Sequence, residues 1–322
     1  MLMNPNNSSA FVLVGPTASG KSAVAQLLAE QTGTPVVSAD SMNIYRGMDI
    51  GTAKPSATER GAVEYQGLDL ADPTETFSVG DWLKAVKPAF QGLSARNDGE
   101  DGIEGVKKEG KKSASPLVVG GTGLYVKCLL AGLDDRPAAD LALRARTEKM
   151  SLAELQAEAL ATAPEAYEFL ADKENPRRLV RVLETKASRN AVAFTAWKKE
   201  LPTVIGLFVE RDVLCKRIAK RVDKMYTNGL IEEARGLIGL QLSVTAQKAI
   251  GYAEAFAVLR GEMTETQAKE RTVIRTRQLA KRQMTWFRTQ LNVEWINTAD
   301  FPTRGTLAGK VSTIWKKVPV AL

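Results

Sequence analysis

Short apolar runs alternate with longer stretches in which apolar positions recur at helical spacing, and these two patterns outline the fold before any motif is considered. Residues 11–14 form a β-branched and aromatic run that stops at Gly15, and residues 21–31 then read as a helix, so strand, loop and helix follow in order. Residues 35–38 are a second strand candidate leading into Ala39-Asp40-Ser41, and residues 116–119 a third, running into Gly120-Gly121-Thr122-Gly123. Residues 204–209 and 293–296 are a fourth and a fifth. Strands that end in polar loops are what an open parallel sheet presents at its carboxyl edge, where such sheets take their ligands.

The intervening segments differ in character. Residues 94–115 are charged and glycine-rich without apolar periodicity, which predicts a mobile surface loop. Residues 134–199 are rich in Ala, Glu, Leu and Arg, with no strand signal, and read as a helical insertion. After residue 209 the pattern is helical again, with amphipathic stretches at about 212–240, 245–259 and 264–288. The expected fold class is α/β: a parallel sheet flanked by helices, built from residues 1–133 and 200–322, with residues 134–199 as a helical insertion domain.

Composition narrows the chemistry. The chain has 322 residues, 44% of them hydrophobic and 25% charged, enough for a sizeable core. A formal charge of +7 favours contact with a polyanion without demanding it. There is no histidine, which excludes Ser-His-Asp triads and imidazole acid–base pairs, so proton transfer falls to Asp, Glu, Lys, Tyr or water. Cys128 and Cys215 form neither a disulfide framework nor a zinc motif, no apolar run approaches a membrane span, and the first ten residues do not resemble a signal peptide. A cytoplasmic protein with no membrane association is expected.

Gly15-Pro16-Thr17-Ala18-Ser19-Gly20-Lys21-Ser22 fits G-x-x-x-x-G-K-[ST] between a predicted strand and a predicted helix, the setting in which that pattern has a mechanism. Backbone N–H groups converge on phosphate oxygens, the helix N-terminus adds its dipole, Lys21 neutralises charge, and the Ser22 hydroxyl offers a ligand to Mg²⁺, the one cofactor expected. The motif specifies a diphosphate and leaves the reaction open; a P-loop kinase fits it as well.

The stretch Ser38-Ala39-Asp40-Ser41-Met42-Asn43-Ile44-Tyr45-Arg46-Gly47-Met48-Asp49-Ile50-Gly51-Thr52-Ala53-Lys54-Pro55 closely resembles the signature of bacterial tRNA dimethylallyltransferases. Gly120-Gly121-Thr122-Gly123-Leu124-Tyr125, Asn175-Pro176-Arg177-Arg178, Ala249-Ile250-Gly251-Tyr252 and Lys281-Arg282-Gln283-Met284-Thr285-Trp286-Phe287-Arg288 follow in the family's order. The resemblance implies transfer of the dimethylallyl group of dimethylallyl diphosphate to the N6 amine of the adenosine 3′-adjacent to the anticodon, in an anticodon stem-loop, by a monomer. It further implies that Asp40 is the general base, that Thr122 lies beside the reacting groups and hydrogen-bonds Asp40 or a phosphate oxygen, and that Lys21 and Arg221 serve the diphosphate with Gly15, Thr17, Ala18, Ser19, Gly20 and Ser22. Read without the family, Asp40 is also a candidate helix cap or partner of a bound Mg²⁺, Thr122 a turn hydroxyl, and Arg221 part of a solvated basic face.

On the RNA side the resemblance implies contacts from Asp40, Ser41, Met42, Asn43, Thr122, Arg144, Arg177, Arg178, Arg181, Ile250, Gly251, Tyr252, Lys281, Arg282, Gln283 and Arg288. Arg271, Arg275 and Arg282 fall near one helical face, with Arg277, Lys281 and Arg288 beside it; basic helices also occur as mere solvated surface. Two departures stand out: Asn43 replaces the family's usual glutamine, and Val63-Glu64-Tyr65-Gln66-Gly67-Leu68-Asp69 lacks its histidine run. An adenylate isopentenyltransferase acting on free nucleotides and a non-catalytic RNA-binding derivative are the competing readings.

Overall fold

The computed structural model describes residues 9–91, 115–133, 140–170, 172–186, 200–316 and 320–321. Most of the loop expected at 94–115 lies outside the described residues. The chain divides into two compact units, one made of residues 1–130 and 201–322, the other of residues 131–200.

In the larger unit β1 (Ser9–Val14), α1 (Lys21–Thr32), β2 (Val36–Ser38), α2 (Ala57–Arg60), β3 (Tyr65–Gln66), α3 (Val79–Gln91), β4 (Leu117–Gly120) and α4 (Gly123–Ala131) come first. Among the described residues six strands run parallel in the order β3-β2-β4-β1-β5-β6, with β5 at Thr203–Phe208 and β6 at Asn292–Asn297. A short β7 (Val320–Ala321) pairs antiparallel with the start of β1. Two-residue β3 and β7 carry too little pattern to be seen in sequence. The central strands are near-continuous apolar runs because both faces are covered.

Alternation along the strands assigns those faces. Leu13, Val36, Leu117, Val119, Ile205 and Leu207 point to one side with α1 and α13 (Arg304–Trp315); Val12, Val14, Val37, Val118 and Val204 point to the other. That second face packs under α3, whose buried Trp82, Val86 and Phe90 recur every four residues, and under the C-terminal helices.

Those C-terminal helices are shorter than the sequence pattern suggests. The stretch expected at 212–240 is α9 (Arg211–Thr227) and α10 (Leu230–Leu237), separated at Asn228-Gly229. The stretch expected at 245–259 begins as a single 3-10 turn and becomes α11 (Tyr252–Leu259) only after Gly251, whose φ of +102° is closed to most side chains. Only α12 (Glu265–Gln290) runs the length its pattern predicts, because it starts on a Thr264–Gln267 capping box and has no internal breaker.

The smaller unit is helical, with α5 (Leu141–Thr147), α6 (Leu152–Thr162), α7 (Pro164–Glu168) and α8 (Pro176–Lys186). Leu155, Ala159, Leu179, Val182 and Leu183 form its core. Buried in that unit, the Glu184 carboxylate accepts from Arg144 Nε at 2.6 Å and Arg181 Nη1 at 2.8 Å. Burial pushes its pKa up, but the two guanidinium hydrogen bonds outweigh it and hold the group below the usual carboxylate range.

Candidate active site

Three strands deliver the site at their carboxyl ends: β1 leads into residues 15–22, β2 into Asp40, and β4 into Thr122. Because β4 lies between β2 and β1, the three loops are neighbours. Gly120 lets two of them touch: a Cβ there would sit 2.0 Å from the Ala39 carbonyl oxygen, so only glycine admits the approach. The Thr122 amide then donates to Ala39 O at 3.1 Å. Its hydroxyl accepts from the Ser41 amide at 2.9 Å and donates to Ser41 Oγ at 3.2 Å. Thr122 is thus engaged by Ser41, while Asp40 Oδ1 accepts the Met42 amide at 3.0 Å.

In the phosphate loop Ala18 holds a φ of +62° and Gly20 one of +94°. Helix α1 starts at Gly20 without a side-chain cap, leaving its first N–H groups to an anion. Lys21 is buried, and its Nζ donates to Pro16 O at 3.4 Å. Burial pulls its pKa down to about 8, Asp40 opposes that pull, and Arg221 adds to it. Arg221 comes from α9, where the sequence left a solvated face open; its guanidinium pKa is lowered by burial against the field of Asp40, and its Nε is buried without a partner among the described residues. Ser19 Oγ is likewise buried and unpartnered. Two desolvated cations and an orphan hydroxyl around a bare helix N-terminus make a candidate site for a multiply charged anion.

Arg217, one turn before Arg221, donates to Ser19 O at 3.3 Å. Spacing i, i+4 on an amphipathic helix was the signal that could have found it. Gln283, expected among the RNA contacts, reaches from α12 to both loops: Oε1 accepts from the Thr17 amide at 2.8 Å, and Nε2 donates to Gly121 O at 3.0 Å. Replacing it by Leu strands both partners, each at about 1–3 kcal/mol, and is expected to lower kcat/KM for the diphosphate substrate about tenfold in steady-state assays. An unchanged value would show that the two loops hold their places without the bracket.

A cavity of about 560 Å³ opens in front of these loops, lined by Lys21, Asp40, Thr122 and Arg221, by Ser41, Met42 and Asn43, and by Ile250, Arg275 and Arg282. A second, of about 480 Å³, lies on the other side of the loop, between Arg217 and α13; Lys21, Ser22 and Arg221 face both. Asn43 is buried, and its Oδ1 has no hydrogen-bond partner. Lys281, Arg282 and Arg288 are exposed on α12, whereas Phe287 is fully buried and Trp286 packs against the core, so neither ring is a free stacking platform. Tyr252 is fully buried, its hydroxyl donating to Glu233. Arg144, Arg177, Arg178 and Arg181 belong to the smaller unit; Arg177 and Arg178 lie at the start of α8, and Arg178 approaches Asp172 at 3.9 Å.

The depressed Lys21 pKa carries a pH prediction. The ammonium expected to bind the anion is present below about pH 8 and lost above it, so kcat/KM for the diphosphate substrate is expected to fall about tenfold per pH unit on the alkaline side. Once bound, the anion raises that pKa, so kcat itself should stay flat to higher pH. A kcat/KM profile level to pH 10 would place Lys21 away from the substrate.

A parallel α/β sheet with a phosphate-loop motif, a carboxylate and basic side chains around one cavity defines a P-loop-like fold with a candidate anion site. The family model described as IPP transferase matches residues 43–290, and one described as Isopentenyl transferase matches residues 8–65. A tRNA dimethylallyltransferase of Streptomyces griseus is 39% identical over 99% of this chain and 100% of its own length, and one of Rhodococcus jostii is 37% identical over 90% and 92%. The crystal structure of a Bacillus halodurans tRNA isopentenylpyrophosphate transferase superposes with a TM-score of 0.64 at 33% identity, covering 96% of this chain and 98% of that one. A eukaryotic dimethylallyltransferase described as acting on tRNA shares the fold alone, with a TM-score of 0.75 at 20% identity over 97% of this chain and 81% of its own. The chain belongs to the IPP transferase family, and it is a transferase.

Proposed function

We propose that this chain performs its family's tRNA modification, dimethylallyl transfer, at the N6 amine of the adenosine 3′-adjacent to the anticodon, and that it acts as a monomer on the anticodon stem-loop. The observation that carries this reading is the meeting of buried Lys21 and half-buried Arg221 with Asp40 in one cavity also lined by exposed Arg282 and by Arg275, whose guanidinium is paired with buried Glu254. A diphosphate answers the two cations, the carboxylate answers an amine that must lose a proton, and exposed Arg282 answers a polyanion.

In the reaction N6 attacks the allylic carbon that carries the diphosphate. The carbon–oxygen bond breaks with its electron pair leaving on the diphosphate, and the amine proton passes to Asp40. Asp40 Oδ1 is held by the Met42 amide, which orients the carboxylate. Lys21, Arg221 and the loop amides stabilise the charge gathering on the leaving group. The adenine must be extruded to reach Asp40, which costs less in a loop than in a duplex.

Mg²⁺ fits the donors present. No group of three His, Cys, Asp or Glu side chains capable of holding a metal occurs among the described residues, and Mg²⁺ commonly takes phosphate and water oxygens with only one or two protein ligands. Ser22 would be the protein donor, and the ion would supply charge neutralisation at the diphosphate. None of the described helices is long and apolar enough to cross a membrane.

The test is a single-turnover assay with Mg²⁺, labelled dimethylallyl diphosphate and an unmodified anticodon stem-loop, with free AMP in a parallel reaction. Label on the adenosine 3′ to the anticodon supports the reading. Transfer to AMP alone would move the assignment to a nucleotide-modifying enzyme, and RNA binding without transfer to a non-catalytic derivative.

A further inference from the structure

We propose that Glu233 is a positioning residue that holds the RNA side of the active-site cavity in shape; this rests on the reading just given. Glu233 lies in the first turn of α10 and does not line the cavity. Its two carboxylate oxygens nevertheless collect three consecutive backbone donors from another part of the chain. The Asp49 amide reaches Oε2 at 2.9 Å, the Ile50 amide reaches Oε2 at 2.9 Å and Oε1 at 3.1 Å, and the Gly51 amide reaches Oε1 at 3.2 Å. The Tyr252 hydroxyl donates to Oε1 as well.

Of these donors Gly51 itself lines the cavity, while Asp49, Ile50 and Tyr252 sit beside residues that do. Gly51, Thr52 and Ala53 form one wall, and Lys248, Ala249 and Ile250, just before Tyr252, form the other. The walls are fitted to each other: a Cβ on Gly51 would lie 2.4 Å from the Tyr252 ring. None of these six residues lines the second cavity behind the phosphate loop, so the bracket serves the side that carries Asp40 to Asn43, Arg275 and Arg282. It is linked toward the phosphate loop by a long contact of 3.4 Å from Arg221 to the Thr52 carbonyl.

An ionised carboxylate suits this task because it accepts without donating: four donors converge on two oxygens with no competing proton. Alanine leaves three amides and a buried phenol unpaired, and the 49–53 loop is then free to relax. Glutamine keeps one acceptor oxygen but turns an NH₂ against backbone donors. Tyr252→Phe removes a single donor and leaves the three amides on Glu233.

The experiment measures KM for an anticodon stem-loop and for dimethylallyl diphosphate, direct stem-loop binding, and hydrogen exchange at residues 49–53, in wild type, Glu233→Ala, Glu233→Gln and Tyr252→Phe. In Glu233→Ala the stem-loop KM and Kd are expected to rise roughly tenfold while KM for the diphosphate stays within about twofold, since misplacement of a positioning element by about 1 Å costs up to a hundredfold. Glutamine should fall between alanine and wild type, and Tyr252→Phe closest to wild type. The amides of Asp49, Ile50 and Gly51 should lose exchange protection in the order Tyr252→Phe, Glu233→Gln, Glu233→Ala. Equal losses toward both substrates that track a lowered Tm, or unchanged stem-loop affinity, would overturn the proposal. If Glu233→Ala fails to fold, the other two variants decide it. A wild type that binds the stem-loop but transfers nothing would fail the functional reading, while binding and exchange would still judge Glu233.

Discussion

Replacing Lys21 by Met is expected to lower kcat/KM for dimethylallyl diphosphate by about 10²- to 10³-fold, the loss of roughly 3–4 kcal/mol that follows removal of one preorganised charge at a leaving group. The same substitution should leave Tm unchanged or raise it, which separates a chemical effect from damage to the fold. The sign follows from the pKa. Lys21 titrates at about 8 in the folded protein against 10.5 for a freely hydrated lysine, so the unfolded chain holds the proton more tightly. Keeping the ammonium buried therefore destabilises the protein by about 3 kcal/mol below pH 8, a cost that fades as pH rises from 8 toward 10.5. Methionine has similar length and no charge. A bound diphosphate offsets that cost in wild type, so ligand should raise the Tm of wild type more than that of the variant. Thermal scans with and without inorganic diphosphate would check this; a large fall in Tm without ligand would mean that Lys21 holds the loop together.

Asp40→Asn is expected to lower kcat by about 10²- to 10⁴-fold, the usual range for removing a general base, with KM for RNA changed far less. Asparagine keeps an oxygen for the Met42 amide, so the loop geometry is preserved and the test falls on proton transfer. The electrostatic consequence is independent of that chemistry. Asp40 raises the pKa of both Lys21 and Arg221, so its neutralisation should move the alkaline inflection of kcat/KM below the wild-type position near 8. If kcat survives while the inflection moves, Asp40 acts through the two cations alone, and another group or water removes the proton.

Glu233 and Gln283 show where sequence reading stops. Gln283 was legible as part of a family block, but its bonds to Thr17 and Gly121 join residues 266 and 162 positions apart, and no local pattern encodes such pairings. Glu233 had no signal at all, being one acidic residue in the first turn of a helix, where the macrodipole alone would favour it. Arg221 was identified, yet whether it faced solvent or the phosphate loop depended on how α9 docks. Tyr252 stood in a block expected to meet RNA, and its burial came with the core packing of α11.

The chain by itself determined the class of fold, the phosphate-loop motif, the exclusion of imidazole chemistry by the absence of histidine, and the long helix α12. Each rests on local information: short apolar runs, helical apolar spacing, a motif of eight residues, and composition. Tertiary structure alone decided the strand order that makes the loops after β1, β2 and β4 neighbours, the desolvation that pulls Lys21 to about 8, and the carboxylate and amide brackets that fix the cavity walls. These are properties of groups far apart in the chain, and they come into being only when burial removes water and brings such groups within hydrogen-bond reach.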